Sequence, residues 1–83
     1  MNEYGRLTMA YWQERRPQEY VRLTDPQAYF SQLGEEILAE IADRMWALAG
    51  DDLPGEGLLA KSGRLNAARL QAEDLVLVER LPA

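Results

Sequence analysis

A stretch of 24 residues between a helix-start signal and a helix-stop signal constrains the fold of this chain more than any other feature. Thr24 and Asp25 can cap a helix, and Pro26 favours the first helical turn. Gly50 provides a stop signal at the other end. Apolar residues recur between them every three or four positions, which predicts one amphipathic helix of about 36 Å. Its predicted core face comprises Phe30, Leu33, Ile37, Ile41 and Leu48, widened by Leu38 and Met45.

The N-terminal segment predicts a shorter helix followed by a helical turn. Asn2 is a candidate N-cap for a helix that extends to Arg16. Pro17 ends this helix and can open a second one, which reaches to about Leu23. The apolar stripe of the first helix is Tyr4, Leu7 and Tyr11, with Trp12 beside it.

The C-terminal segment predicts a last helix from about Leu58 to Glu79, after a loop rich in Gly, Pro and Asp over residues 51–57. Pro82 is the predicted stop of this helix. The run 75–78 resembles a short strand, but it has no second strand with which to pair, so a helix is preferred. The predicted apolar face is Leu58, Leu65, Ala68, Ala72, Leu75 and Val76, joined by Leu70 and Leu77.

These segments together predict an all-α protein, a small helical bundle that forms one domain over residues 1–83. Short connections favour two long antiparallel helices with the N-terminal helix–turn packed across them. Gly34 lies inside the longest helix, where glycine weakens a helix, so it predicts a close approach of another helix. A chain of 83 residues has a small core, so a partner or a second copy can add to its stability.

The composition argues against an enzyme and against a resident metal or cofactor. The sequence has no cysteine and no histidine, which removes thiolate chemistry, disulfides, the commonest general base and the commonest metal ligand. Asp51, Asp52 and Glu56 share a loop but lack the oxygen-ligand pattern of a calcium site. No apolar run is long enough for a membrane span and no signal peptide opens the chain, so we expect a cytoplasmic protein.

Negative charge is concentrated in the middle of the chain. The net charge is −5, and residues 24–56 contain eight acidic side chains and one basic side chain. The four acidic residues of the long helix form a candidate partner-binding face, which we call the acidic face; they are Glu35, Glu36, Glu40 and Asp43. Such a face is either a solvated surface or a docking surface for a basic partner, because its field is comparable with that of a nucleic acid.

The basic residues of the N-terminal segment lie beside aromatic residues. This aromatic–arginine corner is a second candidate surface, for a protein partner or a nucleic acid; its members are Arg6, Trp12, Arg15, Arg16, Tyr20 and Arg22. Arginines and aromatic rings can bind phosphates and stack on bases. The negative net charge disfavours nucleic acid, and the alternative is that the rings are core and the arginines pair with nearby acids.

Both ends of the chain resemble the TnpV family, small proteins encoded on bacterial transposons and related mobile elements. At the N-terminus the resemblance involves residues 4–7, Tyr11-Trp12, residues 14–17 and Tyr20. At the C-terminus it involves residues 65–69, 72–74 and Val76-Leu77. The resemblance implies a mobile-element or phage context and a role like that of small excisionases, and it names no catalytic residue.

The sequence therefore predicts a non-enzymatic accessory protein of a mobile element or phage that binds another macromolecule. One version is an inhibitor that applies the acidic face to a protein partner, such as a recombinase or a host defence complex. The alternatives are an excisionase-like DNA-binding accessory and a homodimeric structural module.

Overall fold

The computed structural model describes residues 1–81, and within this range it forms four helices and no strand. The predicted all-α class is confirmed. The helices are α1 (Glu3–Arg15), α2 (Pro17–Tyr20), α3 (Pro26–Ala49) and α4 (Leu58–Arg80). The run 75–78 is helical, and the predicted stop at Pro82 lies outside the described residues.

The helix ends are determined locally, by the residues that the sequence singles out. The Asn2 side chain accepts a hydrogen bond from the Gly5 backbone N–H at 2.9 Å, which caps α1. Asp25 does the same for α3, where it accepts from the Ala28 N–H at 3.1 Å. Gly50 follows α3 with a φ of 68°, a left-handed conformation that favours glycine.

Contacts along the chain divide it into two compact units, of which the first is Met1–Leu38 and the second starts at Ala39. Each unit is described by itself, and the expectation of a single domain stays a prediction. In the first unit, α1 packs on the N-terminal part of α3 with almost no space between the backbones. A Cβ atom added to Gly34 would lie 2.7 Å from the backbone nitrogen of Gly5. The close helix approach predicted from Gly34 is therefore present.

Aromatic rings form the centre of the first unit. Phe30 is completely buried, and its ring centroid lies 5.5 Å from that of Trp12 and 6.1 Å from that of Tyr20. Tyr29 contacts both Trp12 and Phe30, at 5.4 and 4.9 Å. Such edge and tilted contacts add to the burial energy of the rings. These contacts fix α1 and α2 on the start of α3.

In the second unit, the C-terminal part of α3 pairs with α4 in the antiparallel sense. Residues that are late in α3 contact residues that are early in α4, since Arg64 donates a hydrogen bond to the Ala49 carbonyl oxygen. Earlier in α3, Arg44 binds both carboxylate oxygens of Glu79, at 2.9 and 3.0 Å. The buried residues of α4 are Ala68, Ala72 and Val76, as its apolar pattern predicts.

Several predicted core residues are exposed instead. Leu7 is exposed and Thr8 is buried in its place, because α1 turns Gly5 towards α3 and Leu7 lies about 200° from Gly5 around the helix. The Thr8 hydroxyl remains satisfied, since it donates to the Tyr4 carbonyl oxygen at 2.8 Å. Further predicted core positions with exposed side chains are Leu38, Leu48, Leu58, Leu70 and Leu75.

The exposure of Leu58 has a simple geometric reason. Its side chain is 81% exposed although it lies on the buried side of α4. The end of α3 at Ala49 is opposite Arg64, so the first turn of α4 projects beyond it. A helical periodicity defines a face, but it does not show how far the neighbouring helix extends along that face.

The Gly5–Gly34 contact predicts that Gly34→Ala destabilises the protein. The added methyl group meets backbone, which cannot move aside, so we expect a loss of about 1–3 kcal/mol of unfolding free energy. Gly63→Ala is the matched control, because nothing lies within 4 Å of its added Cβ; it should stabilise the helix by about 0.5–1 kcal/mol. Urea unfolding of both variants in dilute solution measures the difference, and equal effects would contradict the packing argument.

Candidate functional site

The acidic face lies on a single continuous helix, α3. Glu35 and Glu36 belong to the first unit, whereas Glu40 and Asp43 belong to the second, where their interval of three residues places them on one side of the helix. Glu35, Glu36 and Asp43 are exposed, whereas Glu40 is half-buried.

Basic residues of α4 neutralise part of the negative charge of the middle segment. Arg80 forms an ion pair with Glu40. Lys61 binds Asp52 at 2.8 Å, and Arg64 binds Glu56 at 2.8 Å. These three acids therefore have structural partners within the second unit.

The other three carboxylates of the acidic face are not neutralised. Within residues 1–81, no basic side chain pairs with Glu35, Glu36 or Asp43. Glu36 accepts only a long hydrogen bond from Gln32, at 3.4 Å. The predicted acidic face thus contains one ion-paired carboxylate, that of Glu40, and three exposed carboxylates without an ion pair in the described part of the chain.

Trp46 lies next to this charge and was missed by the sequence analysis. It follows Asp43 by three residues on α3, its side chain is 57% exposed, and no other aromatic ring of the described chain contacts it. The small residues Ala39 and Ala42, also exposed, precede Trp46 by seven and four residues and lie on the same side of α3. The sequence contained one indication of this exposure, since Trp46 does not belong to the predicted core face of the helix.

Arg64 holds the loop before α4 in place. It binds Glu56 through both carboxylate oxygens, reaches Asp52 at 3.4 Å and donates to the Ala49 carbonyl oxygen. The Glu56 side chain retains only 6% of its accessible surface. Hydrogen bonding to Arg64 lowers the pKa of Glu56 below its ordinary value of 4.5, and hydrogen bonding to Lys61 lowers the pKa of Asp52 below 3.8. These carboxylates are structural and do not have the raised pKa of a catalytic acid.

The structure brings only part of the aromatic–arginine corner together. Arg16 lies over the Trp12 ring, 5.7 Å from its centroid, and its guanidinium is 3.9 Å from the Glu19 carboxylate. The Tyr20 hydroxyl is 3.1 Å from the Gln13 side-chain nitrogen. The two rings are thus engaged in the first unit, and Arg16 is bound on two sides.

The remaining arginines of this corner do not form one surface. Arg6 and Arg15 are nine residues apart on α1, which places them on opposite sides of the helix. Arg6 donates to the Met1 carbonyl oxygen, and Arg22 is exposed after α2. Arg15 and Arg16 line a shallow pocket of about 310 Å³, together with residues 17–19.

Within residues 1–81, no group of three acidic side chains is arranged to hold a metal ion. No described helix combines the length and the apolar character that crossing a membrane requires. The comparisons with known proteins add no relative, since no family model, no curated protein and no solved structure matches the chain.

The lowered pKa values predict a specific loss of stability in acid. A carboxylate whose pKa is lower in the folded protein stabilises the fold above its ordinary pKa, and this contribution is lost as the pH falls through the lowered value. We therefore expect the unfolding free energy to decrease between about pH 5 and about pH 2, and Glu56→Gln to reduce that pH dependence. Urea unfolding across this pH range measures the effect.

Asp51→Asn is the control, because Asp51 is exposed and has no ion pair within residues 1–81. This variant should retain the pH dependence of the unmodified protein. Equal changes in both variants would contradict the role of Arg64.

Proposed function

We propose that this chain is a non-enzymatic accessory protein that binds another protein through the exposed side of α3. The binding surface in the second unit comprises the exposed carboxylate of Asp43 together with Trp46, and Glu35 and Glu36 add negative charge to α3 in the first unit. The partner presents a basic surface, of the kind that otherwise binds nucleic acid. The observation that carries the proposal is that Asp43 is exposed and has no basic partner within residues 1–81, while Trp46, three residues further along α3, is half-exposed.

The charge distribution supports a docking role for this side of α3. Other acids of the middle segment, Glu40, Asp52 and Glu56, are bound by lysine or arginine. A helix that keeps like charges unpaired on one side loses a little stability, because they repel each other. The same charges accelerate the encounter with a basic partner and exclude acidic ones.

Trp46 supplies an apolar contact surface, which exposed carboxylates do not provide. Exposed carboxylates bring partners together but contribute little affinity, because water and salt screen them. Tryptophan is among the residues most often found at the energetic centre of an interface, where its large ring fills a pocket. Ala39 and Ala42 present only methyl groups, so the partner can approach the helix closely beside the ring.

A mobile element or phage is the setting that we propose for this activity, and the partner would be a recombinase or a nuclease of host defence. The resemblance of the chain ends to the TnpV family supports the setting. An acidic helix that occupies a nucleic-acid channel would inhibit such an enzyme by competition with its substrate. The inhibitor itself makes and breaks no bond.

The proposal predicts that charge reversal on α3 abolishes capture of a basic partner. The double substitution Glu36→Lys with Asp43→Lys should weaken partner binding at least about tenfold, and Trp46→Ala should weaken it without changing the net charge. The measurement is retention of host-lysate proteins by the immobilised chain, followed by quantitative mass spectrometry. A short DNA duplex should release the captured protein, since it competes for the same basic surface.

The matched control is Glu14→Lys with Asp51→Lys, which changes the net charge equally at exposed positions outside this side of α3. It should capture the partner as the unmodified chain does. Equal losses in both double variants would contradict a specific docking surface. A gel shift of DNA by the unmodified chain at about 0.05 M salt would favour the excisionase-like alternative, because phosphate contacts are strongest at low salt.

A further inference from the structure

A concave corner lies where α1 meets α2, and two arginines line it. Arg15 is the last residue of α1, and Arg16 connects this helix to α2. Together with residues 17–19 they line the shallow pocket of about 310 Å³, here called the arginine pocket. This volume lies at the lower end of the range that small-molecule sites occupy. All the lining residues belong to the first unit, so the pocket is a feature of that unit alone.

The backbone of this corner is held from both sides. The Arg16 N–H donates to the Trp12 carbonyl oxygen at 2.8 Å, and the Arg16 carbonyl oxygen accepts from the Tyr20 N–H at 2.9 Å. Pro17 restricts the backbone further, because its ring fixes its own φ angle and limits the conformations of Arg16. The Tyr20 ring in turn packs on the buried Phe30. The arginine pocket is therefore formed without a ligand.

The Arg16 guanidinium is oriented by the fold but keeps hydrogen-bond donors available. It lies over the Trp12 ring, 5.7 Å from the ring centroid. Stacking uses the flat face of a guanidinium, whereas its N–H donors point outward in the plane. The Glu19 carboxylate oxygen is 3.9 Å from the Arg16 nitrogen, which is beyond the length of a hydrogen bond. Arg16 can therefore donate to a further acceptor, and 38% of its side chain is accessible to one.

The charge of the arginine pocket favours an anion. Arg15 is exposed, and within residues 1–81 no acidic side chain pairs with it. The lining residues thus contribute two positive charges and one negative charge, that of Glu19, in a chain whose net charge is −5. An anion that enters the pocket would meet two guanidinium groups at once.

The number of donors favours phosphate over carboxylate. One arginine can engage both oxygens of a carboxylate, which leaves the second arginine without an acceptor. A phosphate monoester has three terminal oxygens and a charge of about −1.5 to −2 at neutral pH, so it can bind both guanidinium groups. Its higher charge also lets it compete with Glu19 for Arg16. A phosphate diester has a single charge and two terminal oxygens, and it is therefore a poorer match.

We infer that the arginine pocket binds the phosphate group of a small phosphate monoester. Arg15 and Arg16 donate to the phosphate oxygens, and Gln18, which also lines the pocket, provides an amide for the rest of the ligand. Glu19 is the counter-charge that the phosphate displaces from Arg16. The arginine pocket contains no residue of the proposed docking surface on α3, so this inference does not rest on the proposed function.

Titration of the isotope-labelled chain with glycerol phosphate, followed by NMR at a constant ionic strength of about 0.15 M, tests the site. We expect saturable shifts of the backbone N–H signals of the pocket and of the Trp12 indole N–H. The dissociation constant should be in the low millimolar range, because a shallow pocket leaves much of the ligand hydrated. Dimethyl phosphate, a diester, and acetate should each bind at least about tenfold more weakly.

Substitutions in the arginine pocket should change this affinity in opposite directions. Arg15→Gln and Arg16→Gln should each weaken binding of glycerol phosphate at least about fivefold, since each removes a charge-assisted contact. Glu19→Gln should strengthen it about two- to fivefold, because the competing negative charge is removed. Arg15→Gln leaves the contact between Arg16 and Trp12 intact, so it tests the site independently of that packing.

Arg6→Gln is the matched control, because it changes the net charge equally and lies on α1 nine residues before Arg15, on the opposite side of the helix. It should leave the affinity within about twofold of the unmodified chain. The absence of saturable shifts up to about 30 mM glycerol phosphate would overturn the inference. Equal binding of dimethyl phosphate or acetate, or a loss in Arg15→Gln no larger than that in Arg6→Gln, would do the same.

Discussion

The apolar stripe along one side of α3 is the constraint on which both units depend. Phe30 and Ile37 are completely buried in the first unit, and Ile41 is buried in the second. The spacing of seven residues places Phe30 and Ile37 on one side of α3 within the first unit, and in each unit α3 presents an apolar surface to its neighbours. Because this stripe is narrow, the opposite side of the helix is left to solvent, and this exposure makes a docking surface on α3 physically available.

Two different means hold the neighbouring helices against α3. In the first unit the backbones approach directly at Gly5 and Gly34, and the aromatic rings around Phe30 fill the space beside this contact. In the second unit the buried residues of α4 are small, two alanines and a valine, and arginine ion pairs lie around them. Small side chains allow helices to approach closely but bury little apolar area, so the second unit leaves many leucines uncovered.

The carboxylates of this protein differ in whether they form ion pairs within the fold. Arg64 shows how an acid is used for structure, since it binds a loop carboxylate, a second carboxylate and a helix-end carbonyl oxygen at once. Bidentate arginine contacts of this kind orient both partners and lower the pKa of the acid. Within residues 1–81, the carboxylates of Glu35 and Asp43 have no such partner, and this difference distinguishes them from Glu40, Asp52 and Glu56.

The sequence by itself determined the four helices and the ends marked by Asn2, Asp25 and Gly50, because these caps and this stop act over a few neighbouring residues. The second helix ends at Tyr20, earlier than the predicted end at about Leu23. It also placed the acids on α3, since helical periodicity fixes which side of a helix a residue occupies. It could not show that Glu40 is bound by Arg80 while Asp43 has no ion pair in the described part of the chain, because such contacts join residues far apart in the sequence. Only the tertiary structure decided which apolar residues remain exposed, because burial depends on where the neighbouring helix ends, and periodicity contains no information about that length.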